Sequence, residues 1–156
     1  MEKSSTRDIE EIIGAAMEVF NVLGKGFEEK VYQEAMALEL TARGVPYFRE
    51  PRVPIYYKSN QLTRYYQPDF ICFNHIVVEL KALSSVGEEE MAQLFRYLKA
   101  SKLTKALLIN FGEDMLDSRM ITSASVSDSS ADAVSAESPG LSDEGVAPNI
   151  SIPPTF

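Results

Sequence analysis

The stretch Gln67-Pro68-Asp69-Phe70-Ile71-Cys72-Phe73-Asn74-His75-Ile76-Val77-Val78-Glu79-Leu80-Lys81-Ala82 sets two apolar, strand-like runs around a short turn and plants three charged groups inside them. A carboxylate or an ammonium in a half-buried strand is costly unless it pairs or holds a metal. Asp69, Glu79 and Lys81 are therefore candidate functional groups on energetic grounds alone. In a strand starting at Ile76, alternation puts Val77, Glu79 and Lys81 on one face and Ile76, Val78 and Leu80 on the other. Register decides whether Asp69 joins the charged face. A two-residue turn at Asn74-His75 places Asp69 across from Leu80, on the wrong face, whereas an odd loop of Phe73, Asn74 and His75 places it across from Glu79.

With the odd loop, the carboxylates of Asp69 and Glu79 and the backbone carbonyl of Leu80 offer the oxygen ligands that Mg2+ prefers. Lys81 would then orient or deprotonate a metal-bound water, or stabilise the developing charge of a phosphoryl transition state. That combination suits phosphodiester hydrolysis. The plain alternative is a solvated strand end with a Glu79–Lys81 surface pair, which contributes little. His75, the one histidine, reads as a turn residue.

Upstream of this stretch, Ser5-x-x-Asp8 reads as a capping box, and Ile9, Ile12, Ile13, Ala16, Val19, Phe20 and Leu23 follow helical spacing up to Gly24. A second helix runs from about residue 27 to Arg43 and closes at Gly44. Pro46 to Tyr57 is rich in aromatic and β-branched residues, but Pro51 and Pro54 confine it to edge or irregular strand. Lys58-Ser59-Asn60-Gln61 reads as a turn and Leu62 to Tyr66 as a returning strand, so these runs and the central stretch suggest an antiparallel meander.

Downstream, Glu88 to Ala100 is a helix with Met91, Leu94, Phe95 and Leu98 inward and acids in its first turn. Lys105 to Phe111 is a continuous apolar run, expected of an interior strand covered on both faces. The order predicts an α/β fold in which helices flank a mixed sheet.

At 156 residues the chain is read as one domain over residues 1–122, followed by a disordered acidic, Ser/Ala-rich tail over 123–156. Only residues 150–156 of that tail are apolar enough to dock on anything. The lone cysteine, Cys72, excludes an internal disulfide and fits a reducing compartment. Neither a signal-peptide core nor an apolar run of membrane-spanning length is present, so a cytoplasmic protein without a membrane partner is expected. The net charge of −8 is uneven, because all 15 Lys and Arg precede residue 123 while the tail carries five acids and no base. Overall acidity therefore neither supports nor excludes nucleic acid as a partner, since local clefts decide binding.

Pro68-Asp69 followed by Glu79-x-Lys81 resembles the signature of the PD-(D/E)XK nuclease superfamily. Gly26-x-x-Glu29-x-x-Tyr32 resembles the motif that names the GxxExxY proteins within it. The blocks from Val78 to Ala82, Ala92 to Lys99 and Leu108 to Gly112 are similar to that family as well, so the resemblance covers roughly residues 8 to 121. It implies a restriction-endonuclease-like fold and a nuclease that uses Mg2+ or Mn2+ on DNA or RNA. Asp69 and Glu79 would be metal ligands, Lys81 the catalytic lysine and Glu29 a further acid at the metal. Tyr32 lies one helical turn beyond Glu29, and its hydroxyl is within possible reach of the site. Gln93-x-x-x-Tyr97 resembles an element that follows the lysine in RecB-like nucleases, and its spacing puts both side chains on one helix face, with Gln93 placed to orient lysine or substrate.

Arg43, Arg49, Arg52, Lys58, Arg64, Arg96, Lys99 and Lys102 are available to line a nucleic-acid cleft, with tyrosines between them for stacking. Two other readings stay open: a catalytically silent module of the same fold that binds nucleic acid or protein, and a regulator whose acidic tail covers the cleft.

Overall fold

A computed structural model describes residues 2–124, so the expected tail over 123–156 and its terminal docking segment lie almost wholly outside the described residues. Three helices and seven strands follow in the order α1 (Glu2–Leu23), α2 (Glu29–Ala42), β1 (Tyr47–Arg49), β2 (Val53–Tyr57), β3 (Asn60–Tyr66), β4 (Phe70–Cys72), β5 (Ile76–Lys81), α3 (Glu88–Ser101), β6 (Lys105–Asn110) and β7 (Asp117–Thr122). The main sheet has the order β1-β4-β5-β6-β7. β5 and β6 run parallel across the α3 crossover, and the other neighbours are antiparallel. This is the mixed sheet with flanking helices of a restriction-endonuclease-like fold.

Period-two alternation divides the core between the two faces of the sheet. Phe70, Cys72, Ile76, Val78, Leu80, Leu107 and Ile109 pack with α1 and α2, while Ile71, Val77, Ala106 and Leu108 pack with α3. β6 is buried from Ala106 to Asn110, as an interior strand must be. Cys72 is fully buried, and that burial pushes its thiol up to about 12, leaving it an inert core side chain.

Three expectations are corrected, and one strand was not anticipated. The helix-one capping box is not formed, because α1 begins at Glu2 and Ser5 lies inside it. Ser5 Oγ instead accepts from Lys105 Nζ, and Asp8 Oδ2 meets His75 Nε2 at 2.9 Å. The single meander is also broken. β2 and β3 form a separate two-stranded sheet, with β3 starting at Asn60 rather than Leu62. Pro68 lies two residues after the end of β3, and without an N–H it cannot continue the ladder into β4. Finally β7, an edge strand in which only Ile121 is buried, has too little apolar alternation to be read as a strand from its sequence.

Candidate metal centre

The β4–β5 turn settles the register. The pairs Phe70↔Val78, Ile71↔Val77 and Cys72↔Ile76 leave Phe73, Asn74 and His75 as a three-residue loop. Phe73 and Asn74 both take positive φ, 53° and 62°, and the Phe73 N–H donates to Pro46 O at 2.9 Å. One further step of the ladder sets Asp69 across from Glu79, the odd-loop alternative. The Asp69 N–H accordingly donates to Glu79 Oε2 at 3.2 Å.

Three elements converge here. Asp69 stands immediately before β4, β5 brings Glu79 and Lys81, and the first turn of α2 brings Glu29. Glu29, Asp69 and Glu79 each offer a carboxylate oxygen within 4.8 Å of the others. Asp69 and Glu79 are only 7% and 5% exposed. Asp69 is held rigidly: its Oδ2 accepts from the Leu80 N–H at 2.7 Å and its Oδ1 from Gln33 Nε2 at 2.6 Å. Each of these oxygens keeps a second lone pair free for a further ligand. The Leu80 carbonyl points to the same strand edge as its N–H, because both groups of one residue share a side in a ladder. Lys81 Nζ lies 3.5 Å from Glu79 Oε1.

Burial dominates the electrostatics of the three carboxyls. Desolvation pushes Glu79 up to about 8, the Asp69 charge adds to this, and the Lys81 ammonium only partly opposes it. Desolvation likewise raises Asp69 despite its two hydrogen bonds, and raises Glu29, with the Asp69 charge contributing. Three carboxyls crowded into a poorly hydrated corner, with one lysine among them, are short of positive charge. An all-oxygen donor set of this kind suits a hard divalent cation.

A pH dependence follows. Glu79 has a folded-state pKa above its unfolded one, so without metal its stability contribution is complete below about pH 4.5 and is lost as pH rises through about 8, and the raised values of Asp69 and Glu29 act in the same direction. Metal binding needs the ionised forms. The rise in melting temperature on replacing EDTA with Mg2+ should therefore grow between about pH 5 and about pH 8. A rise of the same size at both ends would contradict the shared site.

The other expected site residues fall into place differently. The Tyr32 hydroxyl donates to Gly24 O at 2.6 Å and accepts from the Phe27 N–H at 3.3 Å, while its ring stacks on Phe111 with centroids 4.5 Å apart. It therefore ties down the α1–α2 loop, where Gly26 at φ 115° needs a glycine, rather than touching the carboxylates. Gln93 Nε2 donates to the Tyr97 hydroxyl at 2.8 Å, not to Lys81. Burial and the nearby Glu79 and Asp69 charges hold the Tyr97 phenol above its ordinary range. Of the scattered basic residues, Arg43 is bonded to Glu39, Arg96 to Glu89 and Arg49 to Gln33.

Two residues at the site were not anticipated. Gln33, one helical turn beyond Glu29, is buried between Asp69 and Arg49: its Oε1 accepts from Arg49 Nε at 3.2 Å and Nη2 at 3.1 Å. The Glu29-x-x-x-Gln33 spacing on one helix face was the available signal. Asn110, at the end of β6, grips the chain just after Lys81. Its Oδ1 accepts from the Leu83 N–H at 2.9 Å, and its Nδ2 donates to Leu83 O at 2.8 Å. Gln33→Leu leaves the buried Asp69 Oδ1 without its donor, so we expect a loss of about 1–3 kcal/mol in urea unfolding. An unchanged midpoint would show that the bond carries no weight.

Among the described residues no helix is long and apolar enough to cross a membrane. No curated protein matches the chain significantly. The crystal structure of SSO0001 matches at 18% identity and a TM-score of 0.50, covering 60% of this chain and 50% of that one. The chain thus spans about half of that protein, and the likeness concerns the fold alone. Residues 6–122, three quarters of the chain and including every carboxylate of the cluster, match the family described as the PD-(D/E)XK nuclease superfamily. With Pro68-Asp69 and Glu79-x-Lys81 on neighbouring strands around a three-carboxylate corner, the chain belongs to the PD-(D/E)XK nuclease superfamily.

Proposed function

We propose that the protein is a metal-dependent nuclease that hydrolyses phosphodiester bonds in DNA or RNA. The observation that carries this reading is the approach of Glu29, Asp69 and Glu79 to within 4.8 Å of one another, beside Lys81. In this reading Glu29, Asp69, Glu79 and the Leu80 carbonyl hold Mg2+ or Mn2+. When bound, such a cation supplies Lewis-acid polarisation of the phosphoryl oxygen and a more acidic water.

The remaining work belongs to the chain. The Leu80 N–H and Gln33 hold Asp69 by both of its carboxylate oxygens. Lys81 presents its ammonium where negative charge develops on the phosphate. The Gln93–Tyr97 pair closes the α3 side, and Tyr97, kept neutral by its surroundings, adds no competing charge. We further place the chain with the GxxExxY proteins, because Glu29 joins the cluster while Gly26 and Tyr32 shape the loop before it. A reducing, cytoplasmic setting accords with the buried free Cys72.

The test is cleavage of labelled single- and double-stranded DNA and RNA in Mg2+, in Mn2+ and in EDTA. Metal-dependent cleavage of at least one substrate is expected. No cleavage of any of them in either metal would overturn the proposal.

A further inference from the structure

The β2–β3 hairpin stands apart from the main sheet, and its strands are exposed over most of their length. From Pro51 to Pro68 the sequence has no acidic residue, in a chain with 23 acids and 15 bases, and its charges are Arg52, Lys58 and Arg64. Tyr56, Tyr57 and Tyr65 are 59%, 63% and 43% exposed. Pro54 pairs with Tyr65 and Tyr56 with Gln61, with an irregularity in the register between Pro54 and Tyr56. The partner of Tyr65 thus stands two residues before Tyr56, so the two tyrosines are near neighbours on the hairpin. The Arg52 guanidinium lies 4.8 Å over the Tyr65 ring, so a cation adjoins that aromatic surface.

The root of the hairpin is fixed beside the carboxylate cluster. Val53 is buried, and Tyr66 packs edge-on against Tyr97 with centroids 5.6 Å apart. Gln67 Nε2 donates to Glu50 O at 2.8 Å, and the Glu50 N–H donates to Asp69 O at 2.8 Å. Two residues, Gln67 and Pro68, separate the end of β3 from Asp69.

We propose that the β2–β3 hairpin is a stacking platform for single-stranded nucleic acid, with unpaired bases on Tyr56 and Tyr65 and the adjoining phosphates on Arg52. That it delivers the strand to Asp69 and Glu79 rests on the nuclease reading above; the binding itself does not. Single strands fit better than duplex for two reasons. Duplex affinity comes largely from phosphate neutralisation, and three cations on a chain of net charge −8 supply little of it. Tyrosine faces gain from bases that are unstacked, and such stacking tolerates any sequence.

The test is fluorescence anisotropy of the full chain with a labelled single-stranded oligonucleotide and its duplex, in EDTA so that no cleavage intervenes. Tyr56→Ala/Tyr65→Ala should weaken single-strand binding by about tenfold or more and duplex binding by much less. Arg52→Gln should weaken single-strand binding and flatten its salt dependence. Because the substituted tyrosines are exposed, the melting temperature should hold, and Tyr56→Phe/Tyr65→Phe should restore binding. Unchanged single-strand affinity in the alanine variant, an equal loss on duplex, or no binding by the natural sequence, as for a protein-docking hairpin, would overturn the proposal. Loss of the cleavage assignment would leave this measurement standing, since metal is absent from it.

Discussion

Glu79→Gln and Lys81→Ala are each expected to lower metal-dependent cleavage by about a thousandfold or more. Glu79→Gln keeps the shape of the side chain but removes the charge on which a divalent ligand set depends. Burial already disfavours the ionised Glu79 carboxyl, holding it up at about 8, so a neutral amide there relieves a charge-burial cost. The variant should therefore melt no lower than the natural protein in EDTA, especially at alkaline pH. Inactivity could not then be ascribed to unfolding. Lys81→Ala acts in the opposite direction on the fold, because it removes the ammonium 3.5 Å from Glu79 and leaves the carboxyls without their nearby cation. Full cleavage by both variants would remove the site from the chemistry.

Gly112→Ala should be the most damaging small substitution outside the carboxylate cluster. A Cβ at Gly112 would lie 2.3 Å from Leu83 O, 2.4 Å from Leu83 N and 2.6 Å from Ala82 C. All three are backbone atoms, which cannot swing aside as a side-chain tip can. The exit of β6 is thus pressed against the exit of β5, where Phe111 N–H donates to Lys81 O at 2.8 Å and Asn110 grips Leu83. Overpacking of this kind costs about 3 kcal/mol. The displaced segment begins one residue after Lys81, so cleavage should fall along with stability. Urea unfolding measures the first effect, and a loss below about 1 kcal/mol would show that the two exits yield easily.

The central register was legible because it reduces to parity. Asp69 can share a face with Glu79 only if an odd number of residues separates their strands, and the Phe73–His75 loop supplies it. Sequence alone left both parities open, since Phe73 had to adopt a positive φ that aromatic residues seldom take. Helix and interior-strand positions were legible from periodicity, as the buried Ile12, Leu94 and Leu98 and the run Ala106–Asn110 show.

What escaped depended on partners distant in sequence. Gln33 reads as an ordinary helix amide until Asp69 and Arg49 close around it. β7 is a strand because β6 offers it an edge, not because its residues alternate. Ser5 and Asp8 look like a cap, but helix α1 runs through them to meet Lys105 and His75.

Titration of the metal-free chain with Mn2+, with the free ion followed by its electron paramagnetic resonance signal, bears most directly on the carboxylate cluster. The natural sequence should show saturable binding that Mg2+ displaces. Asp69→Asn should weaken it by about 100-fold or more, since loss of a ligand costs no less than loss of the groups that orient it. Binding of equal strength in Asp69→Asn, or none in the natural sequence, would contradict a metal centre built from Glu29, Asp69 and Glu79.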